Sequence, residues 1–230
     1  ASNLLSSHFL ARSMEVPTST HFKMYSNRMK AVVDMTLRMD HSFQMGEGKT
    51  AQITGAILNG HMVAVKTFKS SSLKYRLAAT REVAILSEVK HEKVIKLISV
   101  VESSGMPQLI MEFCEGGNLY TLLHTNGDDL KWDHKLKMLN DVATGMAYLH
   151  GYQPMIMHRD LKSLNLVLPS VYSTVEYPNV KICDMGACRI QCSGSDSAWS
   201  ALTRCVGTVP WMAPEVLSSR YDHKADVYSF

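Results

Sequence analysis

An α+β fold, β-rich first and helical afterwards, is what this sequence predicts, and three observations carry the prediction. Two short runs of β-formers, residues 53–58 and 61–68, flank Asn59-Gly60, a strong two-residue hairpin signal. Residues 77–89 and 133–150 place apolar side chains at helical spacing. The second of these stretches leads into a polar run, His158-Arg159-Asp160-Leu161-Lys162-Ser163-Leu164-Asn165, whose density of charge does not suit packing. With 230 residues and 46% hydrophobic content, the chain suits one large domain or a two-lobed unit.

Composition narrows the function. Charged residues make up 20% and the formal net charge is +3, with the basic residues scattered rather than gathered in a run or arm. A nucleic-acid partner is therefore not expected. The five cysteines, at 114, 183, 188, 192 and 205, include no CxxC and no convincing zinc spacing. They read as thiols in a reducing, cytoplasmic setting. No run of about 18 apolar residues is present, so no membrane span is expected. The N-terminus has no basic head followed by an apolar stretch. It begins with Ala1, which points to a processed chain or a fragment.

In chain order, residues 1–38 carry no motif and read as an extension or linker, with a short amphipathic helix over 28–37. Strands begin at Arg38. The glycine pair Gly46-Glu47-Gly48-Lys49-Thr50 precedes the hairpin and admits two readings. A nucleotide-binding P-loop needs a glycine where Phe43 stands and a helix afterwards, and a hairpin follows instead. The other reading is a glycine-rich turn whose N–H groups approach phosphates with no Cβ in the way. In Val63-Ala64-Val65-Lys66, alternation puts the two valines on one face and Ala64 with Lys66 on the other. Helix 77–89 presents Leu77, Val83, Leu86 and Val89, with Glu82 beside them; another strand is expected over 91–101. Residues 109–117 read as an edge strand ending in Gly116-Gly117. Asn118 starts a short helix with Leu119, Leu122 and Leu123 on its apolar side. The helix at 133–150 buries Leu136, Leu139, Ala143, Met146, Ala147 and Leu149, with Gly151 as its C-cap.

The run at 158–165 sets a carboxylate, an ammonium and an amide in one loop. A proton acceptor, a fixed positive charge and an oxygen ligand for a hard cation are what phosphoryl transfer to a hydroxyl requires. The loop resembles the catalytic loop of eukaryotic protein kinases. Gly46 and Gly48, Val63 to Lys66, Asp184-Met185-Gly186 and Ala213-Pro214-Glu215 match other motifs of that family, in the same order. The resemblance covers about residues 38–230.

It implies a two-lobed protein-kinase-like fold, α+β. The small β-rich lobe would span 39–113, and a mainly helical lobe lacking its last helices would span 114–230. It implies an enzyme that transfers the γ-phosphate of ATP to Ser or Thr hydroxyls of protein substrates with Mg2+. Gly46, Gly48, Ile53, Ala64, Met111 as gatekeeper, the backbone of Glu112 and Cys114, and Val167 beneath the base would hold the nucleotide. Ala51 stands where the third glycine of the loop is usual. Lys66 would meet the phosphates, fixed by Glu82 with Glu88 as rival partner. Asp160 would accept or orient the acceptor proton, Lys162 would neutralise the transferred group, and Asn165 and Asp184 would hold Mg2+. Met185 replaces the usual Phe with a flexible side chain. Residues 169–179 read as a surface insertion, and Cys183 as an unreactive, partly buried thiol.

In the segment 184–215, Ser193, Ser195, Ser197, Ser200 and Thr203 are candidate phosphosites. Thr203 is the first choice, its phosphate pairing with Arg159 after action of an upstream kinase. Lys162 with Gly207-Thr208 resembles the pattern of Ser/Thr-specific kinases, and Trp211 to Glu215 with His158 to Ser163 resemble the tyrosine-kinase-like group, near Raf-like and mixed-lineage kinases. Asp226 would anchor the backbone of the catalytic loop. The match stops at Phe230, early in the family's central helix, so these 230 residues alone are expected to be poorly stable and the natural protein either to continue or to borrow a partner. The alternative function is a nucleotide-binding pseudokinase or scaffold without turnover.

Overall fold

The computed structural model describes residues 37–48, 50–103, 106–125, 130–191, 207–218 and 221–230. The helix expected at 28–37 falls outside them except for Leu37, as do the five candidate phosphosites. The chain enters a sheet at β1 (Leu37–Glu47), turns into β2 (Ala51–Leu58) and then β3 (His61–Phe68). Asn59 and Gly60 take φ of 51° and 82°, the double left-handed turn that the Asn-Gly pair favours. Leu58 then pairs directly with His61, and the register runs unbroken to Ala51 opposite Phe68. With β4 (Leu97–Ser103) and β5 (Met106–Glu112), the sheet is five-stranded and antiparallel, in the order β1-β2-β3-β5-β4.

Alternation sorts its two faces. Val63 and Val65 pack with Ala56, Leu58 and Ile110 in one small core. Phe68, Leu109 and Met111 join the main core, which continues through helix α1 (Leu73–Glu88) into the helical half. α1 starts before residue 77 because the Tyr75 and Arg76 N–H groups find the carbonyl of Ser72. It buries Ala79, Glu82, Val83, Ile85 and Leu86.

The strand expected over 91–101 is corrected: β4 begins only at Leu97. Val94 and Ile95 are buried, but they pair with the other half of the molecule. Ile95 N–H donates to the Ile182 carbonyl at 2.9 Å, and Ile182 N–H donates to Lys93 at 2.8 Å.

The helical half begins with α2 (Leu119–Thr125), capped by Asn118 Oδ1, which accepts from Thr121 N–H at 2.9 Å. Of its expected apolar side only Leu122 is fully buried; Leu123 is exposed. α3 (Trp132–Gly151) includes Gly151, and Tyr152 caps it. Its buried face is Met138, Val142, Gly145, Met146 and Leu149 together with His134 and Asp141. Leu136, Leu139, Ala143 and Ala147 are exposed, contrary to expectation. The face is rotated because two polar side chains satisfy themselves inside. His134 Nδ1 shares a 2.8 Å hydrogen bond with the Tyr172 hydroxyl. Asp141 accepts from Lys93 at 2.8 Å, Lys137 at 2.6 Å and the N–H of Val180 at 3.1 Å. The insertion at 169–179 is thereby docked on α3: Tyr172 meets His134, and Asn179 accepts from Lys93 and Lys137.

After α3 come short strands, β6 (Met155–Met157) paired with β9 (Arg189–Gln191), and β7 (Leu166–Val167) paired with β8 (Lys181–Ile182). The last described element is α4 (Lys224–Ser229). No described helix is long and apolar enough to cross a membrane.

Candidate active site

Two lysines organise the site. Lys66 leaves β3 on the face that also carries Ala64, opposite Ile53 of β2, which in turn pairs with Gly46 of β1. Its Nζ donates to both oxygens of Glu82 on α1 at 2.7 Å and to Asp184 Oδ1 at 2.8 Å. Glu82, not Glu88, is the partner. The pair is dry: Lys66 and Glu82 are fully enclosed, whereas the Asp184 side chain is 39% exposed. Burial pushes the Glu82 carboxyl up to about 7 against the pull of Lys66, with the Asp184 charge adding to the rise. Burial also opposes the Lys66 charge, but the Glu82 and Asp184 carboxylates outweigh it and hold the ammonium above its ordinary range. Asp184 itself is held below the usual carboxylate range, because Lys66, His158 and the Gly186 N–H outweigh its desolvation.

Asp184 sits in the left-handed region at φ 64°, an unusual backbone for a residue with a side chain. The conformation aims its carboxylate back toward Lys66 and the Gly186 N–H. Met185, in the next position, is fully buried, and the Cys188 thiol donates to its sulfur at 3.4 Å. A flexible thioether fills this space without exposing it.

The second lysine, Lys162, lies in the loop between β6 and β7. Its Nζ donates to Asp160 Oδ2 and to Thr208 Oγ1, both at 2.7 Å. The Thr208 hydroxyl donates onward to Asp160 Oδ1 at 2.8 Å. The Asn165 amide donates to the Asp160 carbonyl at 2.8 Å and to its Oδ2 at 3.0 Å. A carboxylate offers about four acceptor positions; three side-chain donors occupy Asp160, which leaves one for an incoming hydroxyl.

The loop is held from below by a carboxylate. Asp226 accepts from the backbone N–H of His158 at 2.8 Å and of Arg159 at 2.7 Å, and it shares a 2.9 Å bond with His150 Nε2. Arg159 takes φ 66°, a strained backbone costing about 1–3 kcal/mol. The Asp226 bond and the wedge of Gly207 hold it there. A Cβ on Gly207, whose φ is 132°, would lie 2.8 Å from the Arg159 carbonyl oxygen. That close approach brings the neighbouring Thr208 onto Asp160. The Arg159 guanidinium donates to the Ala187 carbonyl at 2.8 Å and to the Tyr221 hydroxyl at 3.1 Å. Arg81 of α1 reaches the Gly186 carbonyl at 3.3 Å.

The remaining sequence-predicted residues line the inner face of the sheet and the strand below it. Ala64 pairs with Met111, and both are buried. Ile53, Val167 and Cys183 are partly buried against the main core, which includes Met111 and Cys114. Gly46 lies near the end of β1 and Gly48 in the β1–β2 turn, where the Gly48 N–H donates to the Ala51 carbonyl at 2.9 Å. Burial raises the Cys183 and Cys114 thiols above their ordinary range, the latter to about 12, which suits inert rather than reactive sulfur. Sequence reasoning missed three groups. Thr208 was read only as a specificity mark, His150 was not singled out, and neither was the tie of Glu112 to Lys181 at 2.7 and 2.8 Å, with Lys96 N–H on the same carboxylate at 2.7 Å. A charge pair 69 residues apart leaves no local spacing to detect.

The sequence profile of the protein kinase domain matches residues 39–230. The chain is 40% identical over 191 residues to a probable serine/threonine-protein kinase of Dictyostelium discoideum, covering 81% of this chain and 18% of the relative. It is 36% identical over 192 residues to the serine/threonine-protein kinase CTR1 of Arabidopsis thaliana, covering 81% and 22%. It is 35% identical over 190 residues to the probable serine/threonine-protein kinase SIS8 of the same plant, covering 81% and 18%. The chain thus spans about a fifth of the length of these curated relatives. On the extent of the profile match, over the strands, helices and loops just described, the chain belongs to the protein kinase domain family.

Proposed function

We propose that this protein is a serine/threonine kinase of the tyrosine-kinase-like group, transferring the γ-phosphate of ATP to Ser or Thr hydroxyls of protein substrates in the cytoplasm. One observation carries the reading. Two ion clusters stand on joined segments, one enclosed around Lys66 and Asp184 and one partly open around Asp160 and Lys162, with the Cys183 N–H donating to the Asn165 carbonyl at 2.9 Å between them. The similarity to CTR1 supports the group, and free thiols at Cys114, Cys183 and Cys188 suit a reducing compartment.

The donor set fits a magnesium nucleotide. Glu82 and Asp184 bring two carboxylates to one ammonium, and the excess negative charge lies where Asp184 opens outward. A hard divalent cation suits that edge, with Asp184 and Asn165 as its oxygen ligands; a metal-free triphosphate would be repelled. Bound Mg-ATP supplies the phosphoryl group and the leaving group. Gly46 and Gly48 present backbone to phosphate, Ile53, Ala64 and Val167 enclose the base, Met111 sets the depth of the pocket, and Glu112 and Cys114 offer backbone hydrogen bonds. Glu82 fixes Lys66 for the phosphate oxygens. Asp160 orients the acceptor hydroxyl and takes its proton, Lys162 offsets the charge on the transferred group, and Thr208 keeps Asp160 aligned.

An upstream kinase is part of the proposal. Burial and the neighbouring Arg159 charge lower the pKa of the Arg81 guanidinium, so two like charges face each other near the Gly186 and Ala187 carbonyls. A phosphate on the 184–215 segment, with Thr203 as first choice, would relieve that repulsion. The test is radiolabel transfer by the full-length protein from Mg-ATP to a generic protein acceptor, with phosphoamino-acid analysis. Phosphoserine and phosphothreonine, lost on chelation of the metal, are expected. Nucleotide bound without any transfer would overturn the reading in favour of a scaffold.

A further inference from the structure

Two buried polar side chains take no part in the site proposed above. His134 and Asp141 lie on the inward face of α3, two turns apart, which is about 10 Å along the helix axis. Both hold the insertion 169–179. His134 Nδ1 shares its 2.8 Å bond with the Tyr172 hydroxyl, and the Tyr172 and Tyr177 rings meet the imidazole edge-on, with centroids at 5.5 and 5.8 Å. Asp141 accepts from the N–H of Val180, just past the far end of the insertion. Its ion-pair partners Lys93 and Lys137 donate to Asn179 at 3.1 and 2.9 Å. Between these footings the insertion turns on itself: the Thr174 N–H and hydroxyl both donate to the Val171 carbonyl, at 3.0 and 2.8 Å.

Both ends of the insertion then grip the connector 112–117, which leads from β5 toward α2 and carries the backbone groups assigned to the base. At the near end, the Glu115 N–H donates to the Pro169 carbonyl at 3.2 Å and the Gly116 N–H to the Leu168 carbonyl at 3.0 Å. The Leu168 N–H donates in return to the Gly117 carbonyl at 2.8 Å. The two segments lie so close that a Cβ on Gly116 would run into the Ser170 carbonyl and the Leu168 side chain. At the far end, Lys181 follows Val180 directly and holds the Glu112 carboxylate. A short path therefore runs from each footing on α3 to the connector.

Packing alone does not call for this arrangement. Leu136 and Leu139 stay exposed on α3 while an imidazole and a carboxylate go inside. Buried hydrogen bonds add only modest net stability, but each tolerates a narrow range of distance and angle. An apolar contact would let the insertion slide along α3; these bonds fix its position.

Resting on the proposed kinase reading, we infer that the insertion 169–179 is a strut between α3 and the connector, and that His134, Tyr172 and Asp141 are positioning residues for the purine base. They set where the backbone groups of Glu112 and Cys114 stand. They therefore govern affinity for the adenosine part of the nucleotide and not the rate of transfer once it is bound. The clusters around Lys66 and Asp160 are fixed by partners of their own.

The experiment uses the full-length protein, wild type and with Tyr172→Phe, His134→Leu or His134→Asn. It measures the Kd of adenosine by calorimetry, with KM for ATP, kcat and the melting temperature on the same preparations. Adenosine carries no phosphates, so its affinity reads the base-binding groups apart from the phosphate-binding ones. Losing one buried hydrogen bond shifts an equilibrium by roughly threefold to tenfold. Tyr172→Phe and His134→Leu should raise the adenosine Kd and the KM for ATP by that factor and leave kcat little changed. His134→Asn sets an amide where Nδ1 stood and should recover most of the loss. An adenosine Kd and a KM unchanged by Tyr172→Phe, or a kcat that falls in step with the melting temperature at constant KM, would overturn the inference and leave the kinase reading standing. A wild type that transfers phosphate to no acceptor, yet binds adenosine less tightly after Tyr172→Phe, would remove the kinase reading and keep the strut. A wild type that neither binds adenosine nor transfers phosphate would remove both.

Discussion

The clusters around Lys66 and Lys162 use the same chemistry in opposite surroundings. Each lysine bridges two partners at 2.7–2.8 Å. Lys66 and Glu82 are sealed from water, and they join β3 to α1 and, through Asp184, to the loop after β8. Lys162 and Asp160 remain partly open, and their third partner is a neutral hydroxyl. The sealed cluster fixes distances between elements. The open one keeps a carboxylate oriented while leaving it reachable.

The sharpest way to break this contrast is to remove each ammonium. Lys66→Met leaves the Glu82 carboxyl enclosed without its cation and should destabilise the fold by about 3–5 kcal/mol, part of which the carboxyl recovers by taking a proton. Lys162→Met should cost about 1 kcal/mol, since Asp160 keeps Asn165 and Thr208 as donors. Denaturant melts of the two variants check this; equal losses would erase the distinction. Thr208→Val removes one donor to Asp160 and one acceptor for Lys162, with an expected fall in transfer rate of roughly tenfold, while Thr208→Ser should restore most of it.

A smaller effect separates the clusters by pH. Because Glu82 titrates at about 7 in the fold, below that pH its charge is lost and Lys66 is less firmly fixed. The kcat/KM for ATP should therefore fall on the acid side of pH 7, and Glu82→Gln should be slower throughout and lack that inflection. The stability sign is the reverse. A carboxyl raised to about 7 from its ordinary 4.5 binds its proton more tightly in the fold, so its contribution to stability declines as pH rises between those values. A pH profile unchanged by Glu82→Gln would assign the inflection elsewhere.

The two halves of the molecule were also unequally legible in the sequence. The β2–β3 hairpin was readable because Asn59-Gly60 and strict alternation are local signals, and alternation alone put Val63 and Val65 opposite Ala64 and Lys66. The helix α3 was found but turned the wrong way. Counting apolar residues buries Leu136 and Leu139, whereas the fold buries Asp141 and His134 through partners far away in sequence. Val94 and Ile95 looked like strand and are buried, but their partner is Ile182 of the other half. The loop 158–165 was legible as chemistry, since so many charges in so few positions have little use in packing. Its support was partly legible: the role of Asp226 followed from the family resemblance, but that of His150 had no local spacing to announce it.

The most direct test is Asp160→Asn in the full-length protein, with transfer and thermal melting measured on one preparation. Removing a positioned proton acceptor costs roughly 10²–10⁴-fold in rate, whereas the amide can still accept from Thr208. The account predicts transfer to Ser and Thr lost to that extent, nucleotide still bound and the fold weakened by no more than about the 1 kcal/mol that loss of the Lys162 pair costs. Transfer retained within a few-fold, in a protein that melts like the wild type, would contradict it.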